Sequence, residues 1–317
     1  MKVFVTKNVI LSAILIFILP ACEKENIGNN RDCNIYLATY SRHDSRTSNT
    51  FFLFNESILT QPLPEASGIV SGRKNPGMVY IHEDSGNRPV VYVYDTLGNY
   101  RGDIILMDIQ NRDWEDIAIG PGPEEGQSYI YVGDIGDNKS VRDHLKIHRF
   151  PEPDLSSFSS ETAFSLDIED VFTLSYRYAE GASDAETLMV DPATKNLVVV
   201  TKRDVGVHVY LLPYPHSNNG IAKAVFKGHL PLRTIVGGGI SPDGSQILLK
   251  DYGAIYHWMV QDDVISTLFN QTPVKVAYVP EVQGEAVGWT HDGKGYFTTT
   301  ETEKHEADPV LYHYRRK

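Results

Sequence analysis

Cysteine is almost missing from this chain: Cys22 and Cys33 are its only two. A fold stapled by several disulfides is excluded, so stability has to come from a buried core. Long apolar runs are missing too. The longest, Val9–Leu19, holds eleven residues with Ser12 inside it, too short to span a bilayer and the length of a secretion-signal core. Positive charge is scarce, with 29 Lys and Arg against 41 Asp and Glu and a formal net charge of −12. Nucleic acid is a poor partner for such a chain, because phosphate binding needs clustered Lys and Arg. Several enzyme signatures are also absent: there is no Gly-x-Ser-x-Gly elbow, no His-Glu-x-x-His and no cysteine pair for zinc. Gly237-Gly-Gly239 lacks the spacing of a phosphate loop.

What is present begins with an address. Lys2 and Lys7 precede the apolar run, and Leu19-Pro-Ala-Cys22 follows it. The last four residues resemble a bacterial lipobox, which implies a signal peptide over residues 1–21 and a lipid on Cys22. Residues 22–33 are a polar tether with little to bury, and the folded domain is expected over residues 34–317. Acyl chains on Cys22 would hold the protein to a membrane of the cell envelope, in the periplasm or on the outer-membrane surface. Cys33 is then left unpaired; a Cys22–Cys33 bridge is the alternative.

A pattern with a period near fifty residues runs through the rest. Glu65-Ala-Ser-Gly-Ile69, Glu115-Asp-Ile-Ala-Ile119, Glu186-Thr-Leu-Met-Val190 and Glu285-Ala-Val-Gly-Trp289 each set an acid four residues before an apolar residue, and Val236-Gly-Gly-Gly-Ile240 has valine in place of the acid. The intervals are 50, 71, 50 and 49 residues. Such a period signals a repeat architecture. Each copy continues through a Gly, Pro, Asp or Asn turn into β-rich runs such as Tyr129–Val132 and Val207–Leu211, and no comparable stretch shows helical periodicity. Four strands per repeat predict an all-β fold, a β-propeller of five four-stranded blades. Thr50–Phe54 is the N-terminal strand that would complete the last blade and close the ring. Six blades would need a further blade within residues 34–50, which is short and polar. Residues 151–170 read as an inserted loop.

The stretches Asp113-Trp-Glu-Asp-Ile-Ala118, Gly133-Asp-Ile-Gly-Asp-Asn138, Asp184-Ala-Glu186, Ile240-Ser-Pro-Asp-Gly244 and Gln283-Gly-Glu-Ala286 resemble a group of bacterial secreted propellers, largely uncharacterised and loosely phytase-like or esterase-like. The resemblance implies the fold and secretion, and it supplies no catalytic assignment.

In a propeller the first strand of each blade lines the central channel, so Glu65, Glu115, Glu186 and Glu285 are expected around one mouth. The ends of the second strands, with His82 and Asp84, Asp134, Lys202, Lys250 and Glu301, are expected beside them. Acids so crowded repel one another unless something compensates. One solution is a hard cation: calcium takes six to eight oxygens, and Glu65, Asp84, Glu115, Asp134, Glu186 and Glu285 offer them. With His82 as base or ligand, and Lys202 and Lys250 meeting an anion, metal-assisted hydrolysis of a phosphoester or lactone follows. A second solution pairs two carboxylates as acid and base on a glycosidic bond. A third makes each acid structural, tied to amides or basic residues, in a non-catalytic recognition or scaffold protein. The expected partners are accordingly a membrane through the lipid, a small-molecule or glycan ligand, or a partner protein.

Overall fold

The computed structural model describes residues 34–317 apart from 159–161, 205 and 303–307. Residues 1–33, and with them Cys22 and Cys33, lie outside the described residues. The domain is all-β. Two strands come first, Tyr36–Leu37 (β1) and Phe51–Ile58 (β2). Ala66–Ser71 (β3), Met78–Glu83 (β4), Val90–Asp95 (β5) and Tyr100–Leu106 (β6) then pair antiparallel in sequence. The next group is Trp114–Pro121 (β7), Ser128–Asp134 (β8) and Leu145–Pro151 (β9), followed by Phe164–Ile168 (β10) and Phe172–Tyr178 (β11). Here β11 is the fourth strand, on β9, while β10 crosses to pair parallel with β6. A third group holds Ala185–Val190 (β12), Leu197–Thr201 (β13), Val207–Leu212 (β14) and Ile221–Leu230 (β15), with β1 parallel on β15. Ile235–Ile240 (β16), Gln246–Asp251 (β17), Ile255–Met259 (β18) and Val274–Val276 (β19) form a fourth. Val287–Trp289 (β20), Gly295–Thr299 (β21) and Val310–Arg316 (β22) form a fifth, in which β2 pairs antiparallel with β22 as the outermost strand.

The first strands lie against one another in circular order: β3 meets β7, β7 meets β12, β12 meets β16, β16 meets β20, and β20 returns to β3. The cores follow the same circuit, each between two neighbouring groups. Trp114, Tyr80, Ile130 and Phe150 pack between the first and second. Leu188, Val199, Tyr131 and Tyr176 pack between the second and third. Val198, Val209, Leu249 and Trp258 join the third to the fourth. Phe51, Leu248, Trp289 and Tyr296 join the fourth to the fifth. Ile69, Ile81, Phe297 and Leu311 close the fifth onto the first. Truncating a buried aromatic such as Trp114 would cost about 3–5 kcal/mol.

Turn chemistry sets the hairpins. Gly244 and Gly293 take φ of 74° and 67°, a region open mainly to glycine, and Asp243 and Asp292 accept the amides of Ser245 and Lys294 at 3.0 Å each. Two expectations are corrected. The absence of helix fails at Val264–Asn270 (α1), capped by Asp263, whose Oδ1 accepts the Ser266 amide at 2.9 Å. This helix buries Val264, Leu268 and Phe269 in the core between the third and fourth groups. Nor is 151–170 only a loop, because β10 lies within it and extends the first group.

Candidate metal centre

A β-bulge in the first strands builds the site. The pairing slips by one residue between Ala66 and Gly68, Trp114 and Asp116, Ala185 and Thr187, and Ile235 and Gly237. The extra residues are Ser67, Glu115, Glu186 and Val236. A bulge re-aims the side chain it leaves unpaired. In the fifth group Trp289 pairs with Tyr296 as Val190 pairs with Leu197, which places Glu285 level with Glu186. The ring at this level is therefore Ser67, Glu115, Glu186, Val236 and Glu285, with serine where the sequence pattern puts Glu65. Glu65 sits two residues earlier, level with Asp113 and Asp184. Its Oε2 accepts the Asn87 side-chain amide at 2.6 Å. On the second strands the corresponding level holds Asp84, Ile135, Lys202, Tyr252 and Glu301.

Two groups of carboxylates meet here. Oxygens of Asp84, Asp113 and Glu115 lie within 4.8 Å of one another, and so do oxygens of Glu115, Asp184 and Glu186. Glu115 belongs to both. Glu115 and Glu186 are each 2% exposed and Asp184 is 4% exposed, so water screens little of the repulsion. Burial, reinforced by Glu186, Asp84, Glu285 and Asp113, holds the Glu115 carboxyl well above its usual range. Glu186 is raised by burial and by Glu285, against the lowering by Lys202. Burial pushes Asp84 up to about 7, with Glu285, Asp113 and Glu301 adding to it. One glutamate oxygen, Oε2 of Glu186, is buried with no hydrogen-bond partner. The loop after β8 is drawn tight around these acids: a Cβ on Gly136 would fall 2.1 Å from Glu115 Oε1 and 2.6 Å from the Asp113 carboxyl. The Asp137 amide donates to Asp184 Oδ1 at 2.7 Å.

Two basic side chains reach the edge of this cluster. Lys202 Nζ donates to Glu186 Oε1 and lies 3.3 Å from Glu285 Oε1. Tyr252 donates to that same Glu285 oxygen at 2.6 Å. Burial disfavours the Lys202 ammonium, but Glu186 and Glu285 outweigh it and keep the charge on. Arg203 Nε pairs with Asp184 Oδ2 at 2.5 Å.

The other expected site residues are placed differently. Lys250 is fully buried, one level further down its strand than Lys202. Its Nζ donates to the Gly284 carbonyl and stands 3.5 Å from Glu281 Oε2. His82 occupies the matching level of the first group, also 0% exposed, with Nδ1 3.0 Å from the Glu83 carbonyl and its ring edge-on to Trp114. Burial lowers its pKa to about 4. Neither side chain is open to a substrate. Asp134 pairs with Arg142 Nη2 at 2.6 Å and stands outside both carboxylate groups. Trp114 and Trp289 are core residues, 0% and 3% exposed.

Asp113, Asp184, Tyr252 and Glu281 were not expected at the site. The first two had a signal in the sequence, because each stands two residues before a bulge glutamate, in Asp113-Trp-Glu115 and Asp184-Ala-Glu186. Asp116 is a further buried acid, and its role is structural. Its carboxylate accepts the amides of Ile117 and Leu188 at 2.8 Å each, tying β7 to β12. Beneath the acids the axis is apolar and nearly filled. Val70, Ile119, Met189, Ile240 and Trp289 leave a void of about 20 Å³, room for one water. Arg73 also lines this void, donating to the carbonyls of Thr290 and His291 at 3.2 Å each.

No family model and no curated protein matches the chain. Among solved structures, the Neurospora crassa Pan2 WD40 domain is similar over 86% of this chain and 98% of its own, at 11% identity and a TM-score of 0.42. A luciferin-regenerating enzyme is similar over 82% and 95%, at 10% identity and 0.47. Kuenenia stuttgartiensis hydrazine synthase is similar over 80% and 71%, at 13% identity and 0.38. Resemblances this remote transfer no chemistry to this chain.

Proposed function

We propose that this chain is a five-bladed β-propeller that binds a divalent cation at one end of its axis. Calcium is the first candidate. Asp84, Asp113, Glu115, Asp184 and Glu186 would hold the ion, and all five are oxygen donors of the kind calcium takes. The observation that carries this reading is Glu186 Oε2. It is buried without a partner in a cluster where acids outnumber bases. An ion there would satisfy that oxygen and let Glu115 and Glu186 ionise together, which burial otherwise opposes. The lipid on Cys22, and with it a place at the cell-envelope membrane, belongs to the same proposal and rests on the lipobox resemblance.

The disposition of side chains favours binding over hydrolysis. A phosphoesterase or lactonase needs a base and an anion contact open to substrate. His82 and Lys250 are enclosed, and Lys202 is engaged by Glu186 and Glu285. Glu115 and Glu186, each 2% exposed, offer a glycan no open pair of carboxylates.

Calorimetric titration of calcium, and separately of magnesium, into the protein tests the proposal. The expected result is saturable binding that a Glu115→Gln, Glu186→Gln variant loses. At a hundredfold excess over Kd, the ion should add about 2.7 kcal/mol of stability. Absence of heat, together with an unmoved Tm, would overturn the metal centre.

A further inference from the structure

On the far side of the loop that carries Gly136 lies a cavity of about 760 Å³, between β9, β11 and residues 108–112. That volume falls in the range of small-molecule sites, about 300–1,000 Å³. Its lining reverses the sign of the chain. Arg112, Arg142 and Lys146 face two acids, Asp108 and Asp134, and Asp134 is already consumed by Arg142 at 2.6 Å. Among the described residues neither Arg112 nor Lys146 forms an ion pair.

The inner wall holds two unsatisfied groups. His148 is 2% exposed; its Nδ1 meets Thr173 Oγ1 at 2.9 Å, and its Nε2 is buried with no partner. Arg142 donates Nη1 to the Gly136 carbonyl at 2.7 Å and ion-pairs through Nη2 with Asp134, but its buried Nε has no hydrogen-bond partner. Both atoms are closed off from the cavity itself, so they belong to its wall. Burial, with Lys146 and Arg142 nearby, lowers the His148 pKa to about 4, so the ring is neutral at ordinary pH.

We propose that this cavity is a second ligand site, taking a small molecule that bears an oxyanion. Arg112 and Lys146, which line the cavity without ion-pair partners among the described residues, attract the charge. The chemistry is shared by phosphates and carboxylates. The site is separate from the metal centre and does not depend on it.

The test titrates inorganic phosphate, and in a second arm malonate, into protein free of divalent cations. Saturable binding in either arm supports the site, and the tighter arm names the anion. An Arg112→Ala, Lys146→Ala variant should bind about tenfold more weakly, since each tenfold is about 1.4 kcal/mol. Both side chains can be truncated without opening the core, so Tm without ligand should hold. The Glu115→Gln, Glu186→Gln variant should bind the anion as the parent does. Failure of both anions to saturate, or an unchanged affinity in the double alanine variant, would overturn the proposal. So would loss of anion binding in the glutamine variant, because it would move the anion to the metal centre.

Discussion

Lys202 and Lys250 look alike in the sequence, each at the end of a second strand, and the structure uses them in opposite ways. Lys202 reaches along the rim of the carboxylate cluster, where its ammonium stays charged between Glu186 and Glu285. Lys250 is sealed one level deeper, its pKa pulled down by burial against the upward pull of Glu281. Glu281 in turn is pushed up to about 7 by burial, with Lys250 opposing. The lesson concerns depth. At the rim a cation balances acids that can also be balanced by a metal ion. In the interior a cation can be matched only by its partner, and the pair fixes the segment that brings Glu285 to the site.

The sharpest way to break this comparison is to remove each charge in turn. Lys250→Met should cost about 3–5 kcal/mol in urea unfolding, since it strands a buried carboxylate. Lys202→Met should cost about 2 kcal/mol at most without divalent ions. Equal losses would mean that the two lysines share one environment after all. Acidity sharpens the contrast next. Glu115, Glu186 and Asp84 have folded pKa values above their unfolded ones, with Asp84 at about 7, so the folded state holds protons that the unfolded chain has shed. Their contribution to stability is therefore fully present below about pH 4 and is lost as pH rises through 7. Thermal scans from pH 5 to 8 should show Tm falling by about 2–4 °C for each kcal/mol of repulsion. Saturating calcium should flatten that fall; a Tm rising steadily over this range without calcium would refute the crowding. The smallest effect is expected at Glu65. Glu65→Gln should change calcium affinity and stability by no more than about 0.5 kcal/mol, because its carboxylate faces Asn87. A large calorimetric loss would restore it to the ligand set.

Much of this was legible in the residues. The fifty-residue interval, the hairpin turns and the β2 segment announced the circular arrangement of sheets, because strand periodicity and turn chemistry are local properties. The glutamate level was legible in three groups and misplaced in the first. Aligning on the apolar residue treats Glu65 and Glu115 as equivalents, whereas the bulge makes Ser67 the partner of Glu115. A bulge adds a residue to one strand only, and nothing in Glu-Ala-Ser-Gly-Ile fixes which residue that is. The depth of His82 and Lys250 was hidden for a related reason. Two residues along a strand carry a side chain from the rim to the interior on the same face, and strand ends cannot be placed that finely from pattern alone. Helix α1 was missed because its buried face spans only two turns.

The pairing of β2 with β22 has a consequence for how the chain comes to be folded. Phe51, 2% exposed, sits against Trp289 and Tyr296, residues from the opposite end of the chain. During synthesis β2 leaves the ribosome early and has no partner until β22 has followed it. For most of translation an aromatic strand must therefore be kept from pairing elsewhere.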